Sequence, residues 1–151
     1  MTTTDDSSNR ATVTSPGLTG IQHVGLTVSD VDASVEWYTQ VLGLERQFDE
    51  PHHHSEAGGY AVVLGTPDMS LNVGLDHHPS NDGSAFDATR TGLDHVCFQV
   101  ADAAALDDWA AHLDRLDVTN SGVYAMEGTP FRLVTFDDPD GIQLELIAFT
   151  G

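Results

Sequence analysis

Two histidines and one glutamate are the residues of this chain whose type and spacing could do chemistry. His23 stands in GIQHVGLTVSD and His95 in GLDHVCFQVAD, each three residues after a glycine, Gly20 or Gly92, and 72 residues apart (95 − 23). The same offset pairs Val24 with Val96, Val28 with Val100, Asp30 with Asp102, Ala33 with Ala105, Trp37 with Trp109 and Leu44 with Leu116. Repeated Val and Leu are cheap, since any half-buried strand carries them. A repeated histidine is not. Glu145 lies in IQLELIAF, where Ile142, Leu144 and Leu146 alternate with Gln143, Glu145 and Ile147. Buried alone there, a carboxylate costs several kcal/mol or stays protonated. A dication held by two neutral imidazoles and this carboxylate removes that cost, and three protein ligands leave positions open, as catalytic sites do. His23, His95 and Glu145 are therefore the expected metal ligands.

The elements that must position them follow from pattern. Ile21–Val28 alternates as a strand, and Ser29 or Asp30 then caps a helix with Val31, Val35, Tyr38, Val41 and Leu42 on one face, stopped by Gly43. Short strands are expected at 45–49, 60–64 and 69–75, with a Pro/Gly-rich loop at 50–59. After a polar linker the order repeats: strand 93–100, helix 104–116, strands near 117–119, at 131–136 and at 142–149. The offset also pairs Tyr60 with Arg132 and Pro67-Asp68 with Pro139-Asp140. The chain thus reads as an α+β fold made of two tandem βαβββ modules, about 20–76 and 92–149, within one domain, 18–151. One curved mixed sheet of about eight strands is expected, with helices on its convex face and a cleft between the halves. Met1–Gly17, rich in Thr, Ser and Asp, reads as a disordered tail.

The chain has 151 residues, enough for one core. It carries 24 Asp and Glu against 5 Arg and no Lys, for a net charge of −19. The acids are dispersed, so this surface is read as that of a halophile, where strong salt screens self-repulsion. It argues against nucleic acid as a partner. Cys97, the one cysteine, rules out an internal disulfide and reads as a small buried hydrophobe. Neither a signal-peptide pattern nor a membrane-length apolar run occurs, so a soluble cytoplasmic protein is expected.

The segments HVGLTVSDVDASVEWYTQVLGL and FDDPDGIQLELI resemble the vicinal oxygen chelate superfamily: glyoxalase I, extradiol dioxygenases, fosfomycin-resistance proteins and bleomycin-binding proteins. The resemblance spans Gly20 to Phe149. In that family the first strand of each module gives a histidine and the last strand of the second a glutamate, matching His23, His95 and Glu145. It implies a divalent ion (Fe, Mn, Zn or Ni), a small substrate with vicinal oxygens, and dioxygenase or glyoxalase-type lyase or isomerase chemistry. The alternative it offers is a binding protein that sequesters an antibiotic or toxin without catalysis. A homodimer is the family-based expectation. Glyoxalase I has a fourth ligand in the last strand of the first module. The ungapped offset puts Val73 there, and a one-residue slip Asn72; neither is a carboxylate, which favours a three-ligand site. His77 shares a face with Val73 and Leu75 and is a catalytic candidate, with Tyr124 and Arg132. Tyr60 and Arg132 are substrate-binding candidates. His52-His53-His54 reads as a solvated loop cluster before a metal clip, and Trp37 and Trp109 as core.

Overall fold

The computed structural model describes residues 16–51 and 57–150. The tail expected over 1–17 and the cluster His52-His53-His54 therefore lie outside the described residues, Pro16 and Gly17 excepted.

The first module runs β1 (Val24–Thr27), α1 (Val31–Leu42), β2 (Glu45–Pro51), β3 (Tyr60–Gly65) and β4 (Asn72–His77). The second repeats it as β5 (His95–Gln99), α2 (Ala103–Arg115), β6 (Tyr124–Ala125), β7 (Phe131–Asp137) and β8 (Gln143–Phe149). Both helices start as expected. Asp30 accepts from the Ala33 N–H at 3.0 Å, and Asp102 from the Ala105 N–H at 2.9 Å. Gly43 closes α1 in the left-handed conformation, φ 68°, and its N–H returns to Thr39 O. Two strands shift. Residues 66–71 form a turn in which Asp68 accepts from Thr66 Oγ1 and Ser70 N, so β4 starts at Asn72 rather than at Met69. Asp117, at φ 56°, ends the second helical stretch in a turn, and the strand expected at 117–119 forms instead at Tyr124–Ala125.

The eight strands divide into two four-stranded mixed sheets, β1-β4-β3-β2 and β5-β8-β7-β6. The expectation of a single eight-stranded sheet is corrected accordingly. In each sheet one face carries its helix and the other is open. Leu26, Val62, Leu64, Val73 and Leu75 share one apolar core with Val96, Val134, Phe136, Leu144 and Leu146 and with Tyr38, Val41, Leu106 and Leu113 of the helices. Each such fully buried side chain contributes about 1.5–3 kcal/mol. The buried Ala61, Val63 and Leu133 lie outside that cluster, on the open faces.

The modules are clamped helix side to helix side. Tyr38 OH donates to Asp138 Oδ2 at 2.9 Å, with both residues buried. Asp138 Oδ1 in turn accepts from Asp140 N and Ile142 N at 2.9 and 2.8 Å. Asp140 takes the Ser29 N–H at 3.1 Å, His112 Nε2 donates to Val41 O at 3.0 Å, and Trp37 packs on Phe136. Because the helix-bearing faces meet, the open faces lie on the outside of the pair. No helix among the described residues is long and apolar enough to cross a membrane.

Candidate metal centre

Alternation along β5 sends Val96 and Phe98 toward α2 and leaves His95, Cys97 and Gln99 on the open face. The parallel register sets Cys97 beside Glu145, and the antiparallel register sets Thr135 on the other side of it. Glu145 Oε1 accepts from Gln143 Nε2 at 3.0 Å. Its Oε2 faces His95 Nε2 at 3.7 Å, with the two side chains 13% and 39% exposed. That separation is too long for a hydrogen bond. It suits a shared ion: two donors each roughly 2.1 Å from one ion at a tetrahedral angle stand about 3.4 Å apart.

The histidines repeat more than their position. His95 Nδ1 is held by Asp94 Oδ1 at 2.6 Å, and His23 Nδ1 by Gln22 Oε1 at 2.5 Å. In each case the preceding residue fixes the proton on Nδ1 and leaves the Nε2 lone pair outward, the arrangement that orients metal-binding imidazoles. The Asp94 hydrogen bond, helped by the charge of Glu145, holds the His95 pKa above its ordinary value against a partial burial that lowers it. Burial first, then the Glu145 carboxylate, push the Cys97 thiol up to about 11. The donor set therefore fits a divalent ion: a carboxylate with an oriented imidazole, and a second imidazole of matching orientation elsewhere in the chain.

The third expected ligand is not brought to the other two. His23 is exposed on the open face of the first sheet, and among the described residues no three His, Cys, Asp or Glu side chains converge to hold an ion. With helix sides facing inward, the two open faces of one chain cannot meet across a cleft.

The other candidates divide by face. Tyr124 pairs with Leu133 on the open side of the second sheet, 43% exposed, on the same face as Glu145. Arg132 points the other way, its Nη2 3.9 Å from Asp107 Oδ1 of α2. Tyr60 and His77 sit opposite each other across β3 and β4 with rings 5.1 Å apart, in the alternation of Val62, Leu64, Val73 and Leu75. They too belong to the helix-bearing face. Arg132, Tyr60 and His77 are thus not on the open faces: Tyr60 and His77 share a face with the buried Val73 and Leu75, and Arg132 shares one with the buried Val134 and Phe136. Asn72 is buried and donates to Gln22 O and Met69 O at 3.1 and 2.7 Å, anchoring the strand end beside His23 rather than facing an ion.

Neither Val73 nor Asn72 occupies the place of Glu145. Gly25 pairs with Gly74 where Cys97 pairs with Glu145, so Gly74 is the counterpart. Six residues, 66–71, link Gly65 to its partner Asn72, whereas five, 138–142, link Asp137 to Gln143. That extra turn residue moves the offset from 72 to 71 (145 − 74). Cys97 is exposed beside Glu145 and is not the buried hydrophobe expected. It lies two residues after His95, and that spacing alone was the signal for its face.

Among known proteins, the chain is 28% identical over 134 residues to the uncharacterized protein YaeR of Escherichia coli K12, covering 86% of this chain and 96% of that protein. A solved glyoxylase/bleomycin resistance protein/dioxygenase domain from Frankia shares 28% identity at a TM-score of 0.75, over 88% of this chain and 99% of that one. The fold alone is shared with a mutant of the fosfomycin resistance protein FosX of Listeria monocytogenes, solved with Mn(II) and a dihydroxypropylphosphonic acid: 16% identity, TM-score 0.63, 89% and 95% coverage. The family model that describes the two modules matches residues 20–146, and the chain belongs to the Glyoxalase/Bleomycin resistance protein/Dioxygenase superfamily.

Proposed function

We propose that this protein is a divalent-metal-dependent enzyme acting on a small substrate with vicinal oxygens, working as a homodimer whose sites are shared between copies. In each site His23 of one copy meets His95 and Glu145 of the other. The observation that carries the reading is the pair formed by Glu145 and an Nδ1-anchored His95 on an open face, with His23 anchored in the same way on the other. Bare apolar side chains support a second copy: Leu18 and Ile21, flanking the approach to His23, are 96% and 82% exposed.

When bound, the ion supplies Lewis acidity to two neighbouring oxygens of the substrate. The rest falls to the chain. Asp94 keeps the His95 proton on Nδ1. Gln143 holds one Glu145 oxygen so that the other faces His95. Tyr124 offers a phenol at the rim of the same face for a substrate oxygen. Manganese is the first ion to try, because a protein of this fold was solved with it.

Metal analysis of the purified protein tests the reading. One ion per chain, lost in His95→Ala and Glu145→Ala, is the expected result. A metal-free protein with intact fold would sink it and leave sequestration of a small molecule. Oxygen uptake with a panel of catechols, against disappearance of a methylglyoxal–thiol adduct, then separates dioxygenase from lyase chemistry.

A further inference from the structure

The open face of the first sheet repeats the surroundings of Glu145 with a gap. Gly74 stands at the place of Glu145 and Gly25 at that of Cys97, so two paired glycines leave a bare patch beside His23 on the same face. A carboxylate covers it. Asp76 lies two residues beyond Gly74 in β4, on the same face by alternation and opposite Thr27. Its side chain turns back along the sheet: Oδ2 lies 3.0 Å from where a Cβ on Gly25 would sit, and 3.6 Å from that of Gly74. A side chain at position 25 would press on this carboxylate and make it give by a few tenths of an ångström.

We infer that Asp76 is the acidic ligand the first module contributes to the ion, displaced two residues from the place of Glu145 and lying over Gly25. The inference rests on the metal reading above. Each copy then offers a histidine and a carboxylate from each open face: His23 with Asp76, and His95 with Glu145. Two carboxylates balance the charge of a dication, and an oxygen-rich set suits manganese better than a softer ion. Such a site has four protein ligands, not the three read from the sequence. That leaves fewer positions for exogenous oxygen and moves the expected chemistry toward the lyase or isomerase branch.

The test is calorimetric titration of the full apoprotein with MnCl2, together with water-proton relaxation of the Mn(II) complex. Asp76→Asn should bind Mn(II) about tenfold or more weakly, at least the loss that removing a supporting contact brings. Its bound ion should also relax water faster, because water replaces the carboxylate. Glu36→Gln, an exposed helix position, should match the wild type and controls for overall charge. Gly74→Glu/Asp76→Asn, which returns a carboxylate at the counterpart of Glu145, should recover affinity; a Cβ on Gly74 meets ordinary contacts of 3.6 Å and beyond. Wild-type affinity and relaxation in Asp76→Asn, while Glu145→Ala fails to bind, would overturn the inference and leave the metal reading standing. Failure of the wild type to bind, or equal binding by Glu145→Ala, would overturn both.

Discussion

Mixed dimers give the sharpest test of the shared site. His23→Ala removes the histidine of one open face, and Glu145→Ala the carboxylate of the other. In a twofold dimer each variant alone spoils both sites, since every site takes one face from each copy. In a heterodimer of the two variants, the His23 of the Glu145→Ala copy meets the intact His95 and Glu145 of the His23→Ala copy. The second site lacks both. An isolated heterodimer should therefore hold half the wild-type manganese. Random mixing makes about half the dimers hetero, so the unfractionated mixture should recover about one quarter of the sites. Each homodimer should bind more weakly than the roughly 10–100-fold loss that removing a mere supporting contact causes. Differently tagged copies, refolded together and separated by tandem affinity, allow metal content to be counted per dimer. A heterodimer with no more metal than its parents would refute the reasoning. So would undiminished binding by His23→Ala alone.

Three further outcomes follow from the same geometry. Tyr38→Phe leaves the buried Asp138 Oδ2 without its hydroxyl donor and should cost about 2 kcal/mol in urea unfolding at pH 7. Burial holds the Asp138 pKa above its ordinary value, so its ionisation costs stability: this contribution is favourable at low pH and declines as pH rises through the folded pKa. Because the Tyr38 hydrogen bond opposes that rise, the deficit of Tyr38→Phe should widen from acid to neutral pH; a gap independent of pH would contradict it. Asp94→Ala should weaken manganese binding about 10–100-fold and lower the His95 pKa, read by imidazole proton shifts in the apoprotein. If the net charge of −19 reflects a salt-adapted surface, the thermal midpoint should climb steadily as KCl is raised, and a flat response would speak against it.

Much of this was legible in the sequence, for reasons visible in single residues. Asp30 and Gly43 end the first helix as capping chemistry requires, and period-two alternation singles out Glu145. Alternation, however, tells which residues share a face, not which face the helix will take. His77 shares a face with Val73 and Leu75, but that face carries the helix, and for Tyr60 and Arg132 the sequence offers only their offset of 72 and no face. The counterpart of Glu145 is hidden because the offset of 72 does not hold past the 66–71 turn. Val73 and Leu75 stand where Leu144 and Leu146 do, and that match brings Gly74 into view. The separation of His23 from His95 was beyond reach, since it depends on how the two modules dock.

That docking explains why a duplication with matched histidines does not make a site by itself. The apolar stripes of α1 and α2 need cover, and the chain covers them with each other's sheets: Trp37 lies on Phe136, Tyr38 reaches Asp138, and His112 holds the end of α1. Satisfying the helices this way turns both open faces outward, carrying His23 and Asp76 on one and His95 and Glu145 on the other. On the proposed reading each face by itself holds too few donors to close the shell of a dication. In the proposed dimer, association of two copies would supply the missing donors and cover Leu18 and Ile21 in the same step. Folding of the chain and assembly of the site are, on that proposal, separate events. A variant that loosens the clamp should lower the unfolding midpoint of the apoprotein, whereas one that strips a ligand should leave that midpoint near the wild-type value and remove only the stabilisation that manganese adds.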